Sequence, residues 1–439
     1  MYQNDKTQVN TCAQRCELFS SGVFSVTENL PVLRPFAALR PTPVHAAAVL
    51  APPYDVLDSN EAWRRAAGKP HSFLHISKAE IDLAAGTDPY APAVYAKAAE
   101  NLNRLVAEGV LVRETRPCFY VYRLTAGAHV QTGIVGAASV AAYDAGRIRR
   151  HEFTRPEKED DRVRQIEAVN AHTGPVLAAY RPNPMVAAVT RRVTATSPLF
   201  TVTADDGVTH GVWQVADEND GAMLAAAFAA MPALFIADGH HRSAAASRVA
   251  AARRAANPAR RGEERDHSFL LVSFPADEMV ILDYNRIVST LNGLDRETFL
   301  AKVAGMCAVT ASPCPVKPVA RGIMGMYLPG QWYHLAWRAA PPADPVAGLD
   351  VSLLTDRLLA PVLGITDLRQ DRRIDFMGGA RGLAALAERV DGGASAAFAM
   401  YPPSMDELMA VTEAGRVMPP KSTWFEPKLA DGLLSLPLE

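Results

Sequence analysis

Short apolar runs alternate with longer amphipathic or alanine-rich segments along most of the chain, which predicts strands that alternate with helices. Residues 233–237 form such an apolar run after Pro232, and the alanine-rich segment 243–256 follows closely. Strands are also expected at 176–180 and in the hairpin 199–215, which turns at Asp-Asp-Gly. The pattern predicts an α/β protein of the mixed α+β type.

Shifts in this pattern divide the chain into four parts. Residues 1–31 are polar without a lasting period, and we expect them to form an N-terminal extension that is open to disorder. Residues 32–130 predict an N-terminal α/β region, and residues 131–290 a core that carries the candidate chemistry. Residues 291–439 predict a C-terminal α/β domain that completes the substrate site.

Three shorter segments carry expectations of their own. Residues 71–76 alternate between polar and apolar positions, which predicts a strand. Residues 267–274 and 279–282 predict a pair of neighbouring strands. Ser404, followed by a glutamate three residues later, predicts a capping box at the start of a helix over 404–413.

The composition is that of an ordinary soluble globular protein, with 49% hydrophobic and 21% charged residues in a chain of 439. The net charge of −2 comes without a basic stripe, so nucleic acid is not an expected partner. Five cysteines without regular spacing predict a reducing, cytoplasmic location rather than a disulfide framework. No apolar run of about 20 residues predicts a membrane span. The sequence does not set the oligomeric state.

The sequence Asp-Gly-His-His-Arg at 238–242 lies where the predicted strand 233–237 meets a predicted helix. Gly239 allows a tight or left-handed turn, and the helix N-terminus that follows attracts anions. Asp238 is expected to hold a magnesium ion or to orient a histidine. The expected phosphate site is formed by Gly239, His240, His241 and Arg242. The alternative is a capped helix with solvated histidines.

A second polar stretch, 149–162, contains His151 and Glu152 between a predicted strand and a helix that begins at Pro156. Three basic residues in this stretch are expected to add positive charge beside a donor phosphate, and they are Arg155, Lys158 and Arg162. The alternative for this charge run is a solvated helix face.

The turn at 238–242 resembles the G-x-H-R phosphate-binding turn of the ParB/sulfiredoxin-like superfamily, and most closely the D-G-H-H-R of the archaeal free-serine kinase. That kinase also carries a His-Glu pair and a P-K-[ST]-T loop in the same order, so the resemblance spans about 130–430. The whole chain, including 34–130, resembles a large prokaryotic family of unknown function. The resemblance implies a ParB/sulfiredoxin-like core, with long insertions that leave the alignment open between 290 and 370.

The resemblance also implies roles for individual residues. Glu152 is the expected general base, because the matching glutamate of the kinase accepts the hydroxyl proton of the substrate. The other catalytic candidates are Asp238, His240 and His241. The residues expected to contact the substrate are His151, Arg286, Lys421, Ser422 and Thr423. For Arg286, which follows a predicted strand, a structural ion pair is the alternative.

Together these parts predict a small-molecule kinase that transfers a phosphoryl group to the hydroxyl of free L-serine and forms O-phosphoserine. The expected cofactor is Mg²⁺. The expected donor is pyrophosphate or ATP/ADP, because the chain has no G-x-x-x-x-G-K-[ST] loop and no recognisable adenine pocket.

Two alternatives stay open beside the kinase. One is a ParB-like module that binds CTP and acts in regulation or with DNA without kinase activity, although the sequence shows no basic recognition helix. The other is a metal hydrolase built on His240 and His241, which lacks the ligand spacing of a site such as H-E-x-x-H.

Overall fold

The computed structural model describes residues 31–257 and 265–439, so nearly all of the predicted extension at 1–31 lies outside the described residues. The protein is of mixed α/β class, which confirms the predicted fold class. The β-strands are β1 (Leu33–Arg34), β2 (Leu39–Pro41), β3 (Leu111–Arg113), β4 (Tyr120–Ala126), β5 (His129–Ser139), β6 (Ile148–Arg149), β7 (Ala171–His172), β8 (Val176–Tyr180), β9 (Phe200–Thr203), β10 (Thr209–Gln214), β11 (Leu234–Asp238), β12 (Ser268–Pro275), β13 (Val280–Leu282), β14 (Tyr284–Val288), β15 (Cys307–Ser312), β16 (Ile323–Leu328), β17 (Gln331–Trp337), β18 (Ile374–Gly378), β19 (Ala396–Ala399), β20 (Trp424–Glu426) and β21 (Leu436–Pro437).

The α-helices are α1 (Ala46–Val49), α2 (Ser59–Ala66), α3 (Leu74–Ser77), α4 (Pro92–Ala107), α5 (Val140–Asp144), α6 (Pro156–Val169), α7 (Pro184–Thr194), α8 (Glu218–Ala230), α9 (His240–Ala256), α10 (Arg296–Met306), α11 (Asp350–Leu354), α12 (Ala360–Leu363), α13 (Gly382–Asp391) and α14 (Met405–Glu413). In the parts of the chain described by the structure, no helix has the length and apolar character needed to cross a membrane.

A nine-stranded sheet forms the centre of the molecule, with the order β6-β11-β8-β12-β5-β4-β10-β9 and with β1 added to β5. Successive residues of a strand point to opposite faces, and here both faces are apolar. Tyr120 and Val135 lie in the core on one face, whereas Phe119 and Ile134 lie in the core on the other. Burial on both sides explains why these strands appear in the sequence as continuous apolar runs.

A second sheet of six strands, in the order β15-β17-β16-β19-β14-β18, is antiparallel throughout. One face packs against α10, α11 and α12 through residues such as Phe299, Leu354 and Leu363. The other face packs against α13 through Leu386 and Val390. Each face therefore contributes to a hydrophobic core of its own.

A small pair of strands lies between the two sheets. β13 follows β12 of the nine-stranded sheet, precedes β14 of the six-stranded sheet, and pairs with β20 near the C-terminus. Met418, before β20, packs into the core of the six-stranded sheet, and Leu429 and Leu433, after β20, pack into the core of the nine-stranded sheet. The segment 418–433 therefore spans the junction where the candidate residues meet.

Two local predictions from the sequence are wrong and one is confirmed. Residues 71–76 are not a strand, because Phe73, Leu74 and Ile76 are all buried in the turn that forms α3. β12 does not pair with β13: β12 lies between β5 and β8, and β13 pairs with β20. The capping box at Ser404 is present at the start of α14.

The four-part domain division stays a prediction. β4 precedes the expected boundary at 131 and pairs with β5, which spans this boundary. β14 precedes the expected boundary at 291 and belongs to the six-stranded sheet.

Candidate functional site

The turn between β11 and α9 is built around Gly239. This residue has a φ of 96°, in the left-handed region that favours glycine. A Cβ atom here would lie 3.2 Å from the backbone Cα of Val176 and 3.1 Å from Nε of Arg242. No side chain of the described residues caps α9 at this turn. The first amides of α9 therefore have no side-chain cap among the described residues, and the expected anion site at this turn stays a prediction.

His151 and His240 bring two of the predicted stretches together. The backbone amide of His151 donates to Nε2 of His240 over 3.3 Å, and the two rings meet edge to face with centroids 4.4 Å apart. Burial lowers the pKa of His151 to about 4 and the pKa of His240 well below its ordinary value, so both rings are neutral near pH 7. Because Nε2 of His240 accepts a hydrogen bond, its proton must be on Nδ1.

His151 is held from three sides. Its Nδ1 donates to the carbonyl oxygen of Ile236 over 2.7 Å, its Nε2 accepts from the hydroxyl of Thr423 over 3.3 Å, and its own carbonyl accepts from the amide of Met418 over 2.8 Å. Its side chain is buried. His151 therefore ties the chain after β6 to β11 and to the C-terminal loop, and its predicted contact with a substrate stays a prediction.

Glu152 lies beside His240, directly after His151 in the chain. Its carboxylate lies 4.0 Å from the protonated Nδ1 of His240, and 47% of its side chain is exposed. Burial of the remainder raises the pKa of Glu152 above its ordinary value, against the opposing effect of Lys421 and Arg369. An accessible carboxylate with a raised pKa has the properties of a proton acceptor.

Asp238 lies on the other side of the turn and is already surrounded by cations. One of its oxygens accepts from the amide of Gly239 over 2.8 Å, and the other accepts from Nζ of Lys428 over 3.3 Å. Burial alone would raise the pKa of Asp238, but Lys428 and Arg242 lower it far below its usual range. Asp238 is therefore ionised and engaged.

The expected magnesium ion does not fit these residues. In the described parts of the chain, the side chains close enough to share a metal ion are His151, Glu152 and His240, and Asp238 is not among them. Mg²⁺ prefers oxygen ligands, whereas this group offers two imidazoles and a single carboxylate. Nδ1 of His240 carries its proton and Nε2 accepts from a backbone amide, so neither nitrogen is free. No step below is assigned to magnesium.

Arg242 does not extend into the phosphate site as expected. It is buried, and it folds back beneath the turn, where Nη1 donates to the carbonyl oxygen of Pro175. Its Nη2 lies 3.6 Å from both Asp55 and Asp238. Burial would lower the pKa of Arg242, but these two carboxylates more than compensate and raise it.

The other predicted cations divide into buried and exposed groups. The guanidinium of Arg162 is paired with Asp161 and lies 3.8 Å from the ring centroid of Tyr54. Nζ of Lys158 contacts the hydroxyl of Tyr90 at 2.5 Å. The backbone amide of Arg155 donates to Nε2 of His241 over 3.1 Å, and the Arg155 side chain is exposed. The amide contact holds His241 close to the 149–162 stretch, as the sequence predicted for this pair of segments.

The predicted substrate-binding residues also separate in the structure. Lys421 is exposed and has a left-handed φ of 56°, which is uncommon for a residue with a side chain. Ser422 is buried, and its hydroxyl closes the loop by donating to the carbonyl oxygen of Pro419. Arg286 is fully buried inside the six-stranded sheet, and no carboxylate among the described residues pairs with it. Of these three residues, only Lys421 is exposed.

Sequence reasoning missed three residues that shape the site. Lys428 neutralises Asp238, Arg369 lies 5.4 Å from the ring centroid of the exposed Phe153, and Asp55 contacts Arg242. Lys428 and Asp55 lie close to motifs in the sequence, so their positions could have indicated that they belong to the site. Arg369 carried no such signal, because it lies between 290 and 370, where long insertions leave the alignment with the kinase open.

The sequence matches the family model described as "Protein of unknown function (DUF1015)" over residues 33–352. The chain belongs to this family. DUF1015 assigns no activity to its members, and no curated protein matches the sequence.

Among solved structures, the chain is similar to a conserved hypothetical protein from Pyrococcus furiosus, with 12% identity, coverage of 69% of this chain and 95% of that one, and a TM-score of 0.32. It is similar to a variant of free serine kinase in complex with AMP, with 13% identity, 69% and 92% coverage, and a TM-score of 0.33. It is also similar to C-terminally truncated SbnI from Staphylococcus aureus, with 12% identity, 68% and 85% coverage, and a TM-score of 0.35. Scores this low carry no argument about function, and the ParB/sulfiredoxin-like identity of the core stays a prediction.

Replacing Gly239 by alanine should destabilise this DUF1015 protein more than the same change at Gly146. Both glycines are left-handed, with φ of 96° and 75°, so alanine costs about 1 kcal/mol or more at each. A Cβ at Gly146 meets no atom within 4 Å, whereas at Gly239 it meets the Val176 backbone. Urea denaturation should give a free energy of unfolding at least about 1 kcal/mol lower for Gly239→Ala than for Gly146→Ala. Equal losses would show that the turn tolerates a side chain.

Arg242→Ala should lower the free energy of unfolding, because it leaves Asp55 and Asp238 without their shared cation. Breaking a buried pair costs about 3–5 kcal/mol, and partial exposure of these carboxylates reduces our expectation to about 2–3 kcal/mol. Arg248→Ala, on the same helix, is the control, because the pairs of Arg248 with Glu159 and Asp160 are exposed and worth about 0–1 kcal/mol. If both variants were equally stable in urea denaturation, the pairs of Arg242 with Asp55 and Asp238 would not stabilise the fold.

Proposed function

We propose that this protein is a small-molecule kinase that transfers a phosphoryl group to the hydroxyl of free L-serine and forms O-phosphoserine. The donor is pyrophosphate or a nucleotide such as ATP or ADP. One observation carries the proposal: the accessible carboxylate of Glu152 stands beside the N-terminal turn of α9, where the phosphate site is expected. Phosphoryl transfer to an alcohol needs this combination of a proton acceptor and a phosphate cradle.

The phosphate side of the site is supported by the turn itself and by nearby cations. The outward amides of α9 bind phosphate oxygens through the helix N-terminus. Lys428 lies 3.3 Å from Asp238 at the base of the turn, and Lys421 and Arg369 are close enough to act on the charge of Glu152. These three cations are placed to offset the negative charge that develops on the transferring group.

The proposed reaction is a single displacement. The side-chain oxygen of serine attacks the terminal phosphorus of the donor, and the bond between that phosphorus and the bridging oxygen breaks. The hydroxyl proton passes to a carboxylate oxygen of Glu152, and the bridging oxygen leaves with the rest of the donor, as phosphate when the donor is pyrophosphate. The products are O-phosphoserine, the shortened donor and a protonated Glu152, which then releases its proton to solvent.

The two buried histidines are positioning residues in this scheme. We assign His240 this role because it is neutral and its protonated Nδ1 lies 4.0 Å from the carboxylate of Glu152, which it therefore does not neutralise. His151 fixes His240 through its backbone amide and holds the C-terminal loop through Thr423. His241, whose Nε2 accepts from the amide of Arg155, has its remaining proton on Nδ1 as a donor for the phosphate.

Glu152→Gln should reduce the turnover of serine by about 100- to 10,000-fold while the KM for the donor stays near the wild-type value. Glutamine keeps the shape and the hydrogen bonding of the side chain but cannot accept the proton. Phosphorus NMR of O-phosphoserine formation provides the measurement. Glu157→Gln is the matched control, because Glu157 lies on the same stretch with 70% of its side chain exposed. Full activity of Glu152→Gln would remove Glu152 as the base.

The pH profile provides a second check on the same residue. The base must be ionised, so wild-type kcat should fall as pH drops through the pKa of Glu152, which burial places above 4.5. Above that pKa the rate should level off. The acidic limb should be absent from the residual activity of Glu152→Gln, and an unchanged limb would assign the titration to another group.

Donor recognition separates the kinase from the CTP-binding alternative. If the turn grips the donor through its phosphates, then pyrophosphate, ADP and ATP should compete for one site in calorimetric titrations, and at least one should support serine phosphorylation. The nucleoside should contribute little, with affinities within about tenfold for ATP and CTP. Tight binding of CTP alone, without any turnover of serine, would instead support a ParB-like nucleotide switch.

A further inference from the structure

A cleft lies beneath the turn at Gly239, on the side of α9 opposite His240. Its volume is about 370 Å³ with its open mouth included. Its walls include Tyr54, Arg162, Gly174, Arg242 and Asp431, which come from separate parts of the chain. Residues two apart on a helix point in nearly opposite directions, so the side chains of Arg242 and His240 lie on different sides of the turn. The cleft is therefore distinct from the proposed catalytic site.

Two buried polar atoms in the cleft have no hydrogen-bond partner among the described residues. They are Nε of Arg242 and Oδ1 of Asp431. The relative exposures of these residues are 7% and 2%, so bulk solvent does not satisfy them. Leaving a buried donor or acceptor unsatisfied costs about 1–3 kcal/mol, and native structures rarely do so without a reason. One atom is a cationic donor and the other belongs to a carboxyl group.

Gly174 lies beside both of these residues. A Cβ on Gly174 would lie 3.3 Å from Cδ of Arg242 and 3.4 Å from Oδ1 of Asp431. A single added carbon would therefore contact both side chains and narrow the cleft beside them.

The remaining charges in the cleft are nearly balanced. Arg162 is paired with Asp161, and Arg242 is shared with Asp55 and Asp238. A ligand with only a negative charge would be repelled by Asp431, and a ligand with only a positive charge would be repelled by Arg242. A ligand with both a carboxylate and an ammonium group satisfies both orphaned atoms at once.

We propose that this cleft binds a small zwitterion of the α-amino-acid class, with its carboxylate on Arg242 and its ammonium on Asp431. The proposal does not depend on the kinase function, because it can be tested with an amino acid that has no hydroxyl group. A ligand bound in this cleft would also hold the side chain of Arg242 in place, and Arg242 contacts Asp238 directly below the turn at Gly239.

Isothermal titration with glycine is the direct test, with acetate and methylammonium as ligands that carry only one of the two charges. Glycine should bind at least about tenfold more tightly than either, because each of them loses one charge-assisted contact. Acetate that binds as tightly as glycine would identify an anion site and overturn the proposal. Absence of any glycine binding to the wild-type protein would overturn it as well, with the orphaned atoms then bridged by water.

Gly174→Ala is the decisive variant, because it fills the cleft and keeps every charged residue in place. Glycine binding should weaken by at least about tenfold in this variant. Gly221→Ala is the matched control: a Cβ on Gly221 meets no atom within 4 Å, and glycine should bind to this variant as to the wild type. Unchanged binding in Gly174→Ala would show that glycine binds elsewhere. A loss of glycine binding in Glu152→Gln would place glycine in the catalytic site and would also contradict the proposal.

The pH dependence of glycine binding gives an independent readout. Burial raises the pKa of Asp431 to about 7, with Arg242 and Arg162 opposing and Asp55 reinforcing the rise. The other titratable groups at this cleft are Tyr54 and His172, and burial raises the pKa of Tyr54 to about 12 and lowers that of His172 to about 4. An ammonium group needs the ionised form of Asp431, so glycine affinity should rise between pH 6 and pH 8. Asp431→Asn should bind glycine weakly at every pH, and an affinity that falls with rising pH would contradict the assignment.

Discussion

The candidate site depends on one hydrogen bond, from the backbone amide of His151 to Nε2 of His240. This bond joins the chain after β6 to the start of α9, and it fixes the tautomer of His240. The fixed tautomer places a proton on Nδ1, 4.0 Å from Glu152, and leaves neither ring nitrogen of His240 free for metal binding. Because burial keeps both histidines neutral, the pair can be packed edge to face without charge repulsion.

The turn at Gly239 separates two electrostatic environments. On one side, the buried and neutral rings of His151 and His240 pack against each other, and the partly exposed carboxylate of Glu152 lies 4.0 Å from His240. On the other side, Arg242 is enclosed by Asp55, Asp238 and the carbonyl oxygen of Pro175. The separation follows from helix geometry, since residues two apart on α9 point to opposite sides. The same short motif thus supplies a polar surface for chemistry and a buried ionic anchor for the turn.

Local sequence signals predicted the turn but not the direction of every side chain. An apolar strand, a glycine and an alanine-rich helix are short-range features, and they placed the phosphate turn and the capping box at Ser404 correctly on their elements. The position of Arg242 is set by contacts with Asp55 and Pro175, which are far away in the sequence. Ser422 likewise closes its own loop, although its neighbours in the motif suggested a ligand contact. Long-range packing decided both outcomes, and a single sequence does not contain that information in readable form.

Three carboxylates surround the turn, and their partners determine which of them can act as a base. Asp238 is paired with Lys428 and Arg242, which hold its pKa far below the range useful for taking a proton. Asp55 is paired with Arg242 on the buried side of the turn. In the described parts of the chain, Glu152 has neutral His240 as its contact at ion-pair distance, and its pKa is raised by burial. A general base is most effective when its pKa approaches the working pH. Of the three, Glu152 is therefore the carboxylate whose surroundings best suit proton transfer.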